Sequence, residues 1–123
     1  MAGANDEITI QGRVHRFGWL VLPIIAGEFL SIAFVLDTSY PITRISTRTH
    51  TLLEAFGLIT PVSGRTMRIH GLHTEEHALP DIDVRVSQVV SRLGLEAMLG
   101  LNFLALFTEV CFQRPSVVLT LRR

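Results

Sequence analysis

No lysine occurs anywhere in these 123 residues. The 11 basic side chains are all arginines, they are balanced by 11 acids, and the formal net charge is zero. The arginines are scattered and form no stripe. That argues against a nucleic-acid partner, because phosphate recognition needs a concentrated basic surface. A single cysteine, Cys111, excludes an internal disulfide. It stands in an apolar run and reads as a small core residue, whereas a catalytic thiol needs an electropositive, accessible setting. Such sparing use of cysteine predicts a reducing, cytoplasmic compartment. Also missing is an unbroken apolar span of the roughly 20 residues that a membrane helix requires. Residues 17–36 are interrupted by Pro23, Gly27 and Glu28, and residues 93–112 by Glu96, Asn102 and Glu109. The first 16 residues carry Asp6 and Glu7 and lack the basic-then-apolar order of a secretory leader. There is no internal repeat, no glycine-rich phosphate loop and no nucleophile elbow. The expectation is a protein with no nucleic-acid partner, no membrane span and no cofactor.

What is present suits a globular domain. Apolar residues make up 48% of the chain and charged ones 18%, which is not the balance of a disordered segment. A chain of this length buries about two-thirds of its extended surface. One domain over residues 1–123 is predicted, with 1–7 as a loose tail.

The pattern is mostly β. Residues 8–10 begin it and 14–17 continue it. Residues 19–25 are β-rich, with Pro23 marking an edge or an irregularity. Ala26-Gly27-Glu28 predicts a hairpin turn. Residues 29–36 form its second arm, apolar enough for burial on both faces. Ser46 or Thr47 caps a short helix whose Leu52, Leu53 and Phe56 share a face and which Gly57 stops. Residues 59–62 and 66–69 pair around Ser63-Gly64-Arg65. Ile82, Val84 and Val86 alternate with Asp83 and Arg85 as a half-buried strand. Asn102 reads as the N-cap of a helix over 103–107. Residues 109–112 and 117–121 are closing strands, turned by Arg114-Pro115-Ser116.

Asp37 stands out. The run Ala33-Phe34-Val35-Leu36 climbs directly into it, and Thr38 and Ser39 follow. A carboxylate at the rim of a core has a pKa that its surroundings can set. The plainer reading is an Asp that ends a strand and opens a turn with its own side chain.

Far downstream lies Met98-Leu99-Gly100-Leu101-Asn102-Phe103-Leu104. Together with Phe34-Val35-Leu36-Asp37-Thr38-Ser39 and Ala55-Phe56-Gly57-Leu58, it resembles the pattern of the retropepsin-like aspartic proteases. The likeness covers roughly residues 20–121. It implies an all-β acid-protease barrel with one Asp-Thr-Ser loop per chain. It implies a peptide or protein substrate cleaved by a water held between two Asp37 carboxylates. Only one such Asp is present, so the resemblance implies a homodimer with one Asp37 from each copy. Thr38 would brace the pair across the axis, and Ser39 would give its backbone amide to the carboxylate. Tyr40, Met98 and a short flap at Gly64 would face substrate. Strands 8–10 and 117–121 would build an intersubunit sheet.

Some positions depart from the family pattern. Ser39 replaces its glycine, and Tyr40 a small residue. Pro41 and Leu101 stand where viral members carry an ion pair. The flap region has no glycine cluster. An alternative is therefore a catalytically impaired retropepsin-like module for dimerisation or peptide binding. A further alternative is metal chemistry at His73-Thr74-Glu75-Glu76-His77, which has the inverted zincin order. On a helix, its two histidines at i and i+4 would share a face. A solvated polar loop is the simpler reading of that segment, and no bound metal is expected.

Overall fold

A computed structural model of the chain describes residues 7–15, 17–113 and 118–122. Its elements run β1 (Glu7–Gln11), β2 (Arg13–Val14), β3 (Leu20–Ala26), β4 (Leu30–Leu36), β5 (Thr43–Ile45), α1 (Thr47–Ala55), β6 (Ile59–Ser63) and β7 (Thr66–Ile69). They continue with β8 (Leu72–His73), β9 (Ile82–Val86), α2 (Gln88–Arg92), β10 (Ala97–Leu99), α3 (Leu101–Leu104), β11 (Glu109–Gln113) and β12 (Val118–Arg122). The mainly-β expectation holds.

A nine-stranded sheet follows the path β2-β3-β4-β10-β5-β9-β7-β6, with β8 joined to β3. Its centre places the candidate site. β10 runs parallel to β4 on one side and antiparallel to β5 on the other. β5 in turn runs parallel to β9. The strand from late in the chain is thus threaded between two early ones. The connection from β4 to β5, which contains Asp37, arches over the C-terminal end of β10. Apolar side chains from both sheets and from α1 and α3 meet in one core, with Leu22, Ile24, Phe34, Ile45, Leu53 and Phe103 fully buried.

Local chemistry explains the elements that the sequence predicts. β3 and β4 form the expected hairpin, and Gly27 takes φ 64° in its turn, where a side chain would be strained. Pro23 lies in β3 between the short stretches that pair with β2 and β8, opposite Ala33 of β4. One edge of the strand therefore makes no demand on its missing N–H. Ser46 caps α1 by accepting from the Thr49 amide at 3.1 Å. Gly57 ends the helix at φ 69°.

Other expectations are corrected. Asn102 does not cap the late helix. Gly100 holds that place without a side-chain bond, and Asn102 sits inside α3, bonded elsewhere. Cys111 is exposed, because it lies on an edge strand and alternates with Val110, which packs on the core. Phe29 is 85% exposed and Phe56 59%. Phe29 falls in the hairpin turn rather than the strand, and only Leu53 of the proposed helical face is fully buried. β5, β8 and α2 are too short to show in the sequence pattern. Strands β1 and β12 pair with each other in one chain, and β11 takes the other edge of β12. Both edges of β12 are thereby used internally, so it does not offer the intersubunit edge expected of it. The turn at Arg114-Pro115-Ser116 and most of the proposed tail lie outside the described residues.

Residues 73–77 are not helical. His73 ends β8, and Thr74–His77 is a turn in which Thr74 Oγ1 accepts from the His77 amide at 3.0 Å. Both ring nitrogens of His73 are engaged by backbone carbonyls. Its Nε2 lies 2.6 Å from the Gly27 carbonyl and its Nδ1 2.8 Å from that of Thr74. The inverted-zincin geometry is therefore not formed. Among the described residues no helix is long and apolar enough to cross a membrane.

Candidate active site

The loop after β4 is strapped to the start of α3. The Asp37 amide donates to the Leu99 carbonyl at 2.9 Å. The Leu101 amide donates to Tyr40 O at 3.0 Å and the Asn102 amide to Pro41 O at 2.9 Å. At this crossing Gly100 runs against the backbone of Ile42 and Thr43. A Cβ on Gly100 would stand 2.7 Å from the Ile42 carbonyl carbon and 2.9 Å from the Thr43 nitrogen. The glycine is required for closeness, not for an unusual φ, which is an ordinary −93°.

A polar cluster fixes the same crossing from beneath. Asn102 Oδ1 accepts from the Thr43 amide at 2.9 Å and from the Thr43 hydroxyl at 2.8 Å. Its Nδ2 donates to the Asp83 carbonyl of β9 at 2.7 Å. The Gly100 amide donates to Thr43 Oγ1 at 3.0 Å. Thr43 is fully buried, and its hydroxyl is satisfied in both roles. β5, β9 and α3 are thus locked together under the Asp37 loop.

Asp37 itself is mostly covered, with its side chain 17% exposed. Its Oδ1 accepts from the Ser39 hydroxyl at 2.5 Å and from the Ser39 amide at 3.1 Å. This is also the geometry of an ordinary turn opened by an Asp. Its Oδ2 accepts from Nη2 of Arg44 at 2.9 Å. The Ser39 hydroxyl is the main influence holding the carboxyl below its ordinary range. The Ser39 amide and the Arg44 charge act the same way, and partial burial opposes them.

Of the other residues singled out in the sequence, Thr38 is exposed. Tyr40 is exposed too, and its ring lies 3.9 Å from the guanidinium carbon of Arg44. Met98 stands opposite Arg44 in the β10–β5 register, with its sulfur 3.6 Å from Nη2. Asp37, Ser39, Tyr40 and Met98 are therefore brought together. Gly64 is not. It occupies an exposed turn between β6 and β7, and among the described residues no hydrogen bond or ion pair joins it to the Asp37 loop. Met67, Arg68 and Ile69 of β7 are pinned to β9, so little of that hairpin projects.

Arg44 was not visible as a site residue. It lies between buried Thr43 and Ile45, where period-two patterning assigns it to the opposite, solvated face. On this loop-covered face Asp37 waits for it. The one available signal was an arginine seven positions after an acid on the next strand, which is too common to single out.

No protein-family model matches the chain, and no curated protein matches it significantly. Among solved structures, a retropepsin-like aspartic protease from Rickettsia conorii resembles it with a TM-score of 0.62. The match covers 94% of this chain and 88% of that one, at 15% identity. Identity at that level speaks for the fold and not for the chemistry. The threaded β10, the strapped Asp37 loop and this likeness agree: the chain has the retropepsin-like aspartic protease fold.

Proposed function

We propose that the chain is an aspartic endopeptidase that works as a homodimer, with Asp37 of each copy facing the other across a twofold axis. The observation that carries this reading is the strapping of Asp37 to Leu99 and Gly100, which fixes a partly exposed carboxylate at the end of a core strand. Two carboxylates about 3 Å apart cannot both stay ionised and share one proton. The ionised member takes a proton from the water, whose oxygen attacks the peptide carbonyl. The protonated member gives its proton to the carbonyl oxygen. The resulting tetrahedral intermediate breaks at the C–N bond: the amine leaves with the dyad's proton, while a hydroxyl of the intermediate gives its proton to the other carboxylate, which restores the shared proton. Thr38 braces the pair, the Ser39 amide steadies Asp37, and Tyr40 and Met98 line the cleft. The Gly64 turn is its modest flap.

A second reading is a binding or dimerisation module of the same fold without turnover. The pinned β6–β7 hairpin favours it, because a flap that cannot close leaves water in the cleft. One experiment separates the two. A peptide library is incubated at mildly acid pH with the wild type and with Asp37→Asn, and the oligomeric mass of both is measured. The enzyme reading expects cleavage by the wild type and none by the folded, dimeric variant. Cleavage by neither at any pH leaves the module.

A further inference from the structure

We infer that Arg44 is a positioning residue that, alongside Ser39, holds Asp37 ionised, so that the acid pair collects its shared proton only at a lower pH than it would without the arginine. The inference rests on the dyad reading above for its effect on cleavage, though not for its effect on Asp37 itself.

The placement is built and not incidental. β5 is paired on both sides, to β9 and to β10, so the Arg44 backbone has no freedom to withdraw. The side chain is 15% exposed. Its guanidinium is covered by the Tyr40 ring on a face, touches the Met98 sulfur and donates to Asp37 Oδ2 at 2.9 Å. Its Nε is buried with no acceptor. A buried donor left unmet costs stability, and here it is tolerated while Nη2 stays on Asp37. Guanidinium cannot be neutralised at any relevant pH, so the contact is a fixed positive charge.

Among the described residues the elements around Asp37 bring no competing charge. β5 contributes Arg44, the loop contributes Ser39 and Tyr40, and β10 contributes Met98. α3, of sequence Leu-Asn-Phe-Leu, has no titratable side chain. Arg44 is thus the only charged group against Asp37 among the described residues. In a twofold pair, two carboxylates would sit with two guanidiniums. The repulsion that makes one carboxylate keep a proton is then offset. The doubly ionised, unproductive form persists to lower pH.

The test follows Asp37 directly. Its carboxyl carbon is titrated by 13C NMR in the wild type, Arg44→Gln, Arg44→Met and Arg44→Lys, with Asp37→Asn identifying the signal. Since the midpoints belong to the pair, the comparison between variants is what counts. In Arg44→Gln and Arg44→Met the midpoint rises, because an opposite charge at contact distance that favours the ionised carboxyl is lost while Ser39 stays in place. In Arg44→Lys, which keeps the charge, it stays closer to wild type. The alkaline limb of cleavage moves up by a matching amount in the two neutral variants. Arg44→Met nearly preserves side-chain length, so it decides the matter if Arg44→Gln fails to fold. An Asp37 midpoint unmoved in the neutral variants overturns the inference. Retained cleavage in Asp37→Asn would instead overturn the dyad, while the NMR midpoints still decide the role of Arg44.

Discussion

At the scale of single residues, the most exacting position is Gly100. Its missing Cβ is what lets α3 start directly beneath the Asp37 loop, against the Ile42 carbonyl and the Thr43 nitrogen. Those neighbours are backbone within paired structure and cannot swing aside. Gly100→Ala is expected to destabilise the chain by at least about 3 kcal/mol, the upper end of ordinary overpacking. Asn102→Ala removes the partner of Thr43 and of the Asp83 carbonyl together, and should cost roughly 2–3 kcal/mol. Urea denaturation measures both, and a loss below 1 kcal/mol for Gly100→Ala, on the scale of a surface change, would refute the crowding account. The sequence already marked Asp37 and Gly100, because an acid after four apolar residues and a glycine before a polar helix start are local signals. Asn102 was visible but given the wrong task. Its propensity for capping is local, and a network reaching residues 59 positions away in sequence overrides it. Arg44 was hidden because its partner lies across a loop whose path no local pattern reveals.

At the scale of elements, the short strand β8 is held to β3 with help from one imidazole. His73 has a carbonyl oxygen at each ring nitrogen, Gly27 O and Thr74 O. Both nitrogens donate only when the ring is protonated. The Gly27 bond first, and then the Thr74 bond, raises the His73 pKa above the ordinary 6.5. A folded-state pKa above the unfolded one contributes stability that is complete below the unfolded value. It is lost as pH rises through the folded value. The chain should therefore become less stable from pH 6 towards pH 8, and His73→Gln should flatten that slope. Thermal melts across the range test this, and an unchanged slope in the variant rules it out. Element prediction from sequence succeeded where turns carry their own chemistry, as at Gly27, Ser46 and Gly57. It failed for two- and three-residue strands such as β5 and β8, which exist only because longer neighbours offer them an edge.

At the scale of the whole molecule, one chain supplies one Asp37, so proposed activity must depend on association. Specific activity should fall on dilution as dimer gives way to monomer, in step with the mass seen by analytical ultracentrifugation. Constant specific activity in a sample that is monomeric throughout would defeat the twofold reading. Exposed Tyr40 and Leu101 are joined by a backbone hydrogen bond beside the Asp37 loop. The all-β architecture could be read ahead because strand patterning is local. The pairing of β1 with β12 within one chain could not, since nothing in either strand says which copy it will join.

The threading of β10 between β4 and β5 also sets a timetable. Asp37 leaves the ribosome before its support does, since the strand it leans on and the glycine beneath it are made some 60 residues later. Contacts so distant along the chain close slowly and late in folding. A nascent or prematurely terminated polypeptide therefore carries the acid without its support. The chemistry proposed for Asp37 has to wait until residues 97–102 have been made and have folded onto the loop.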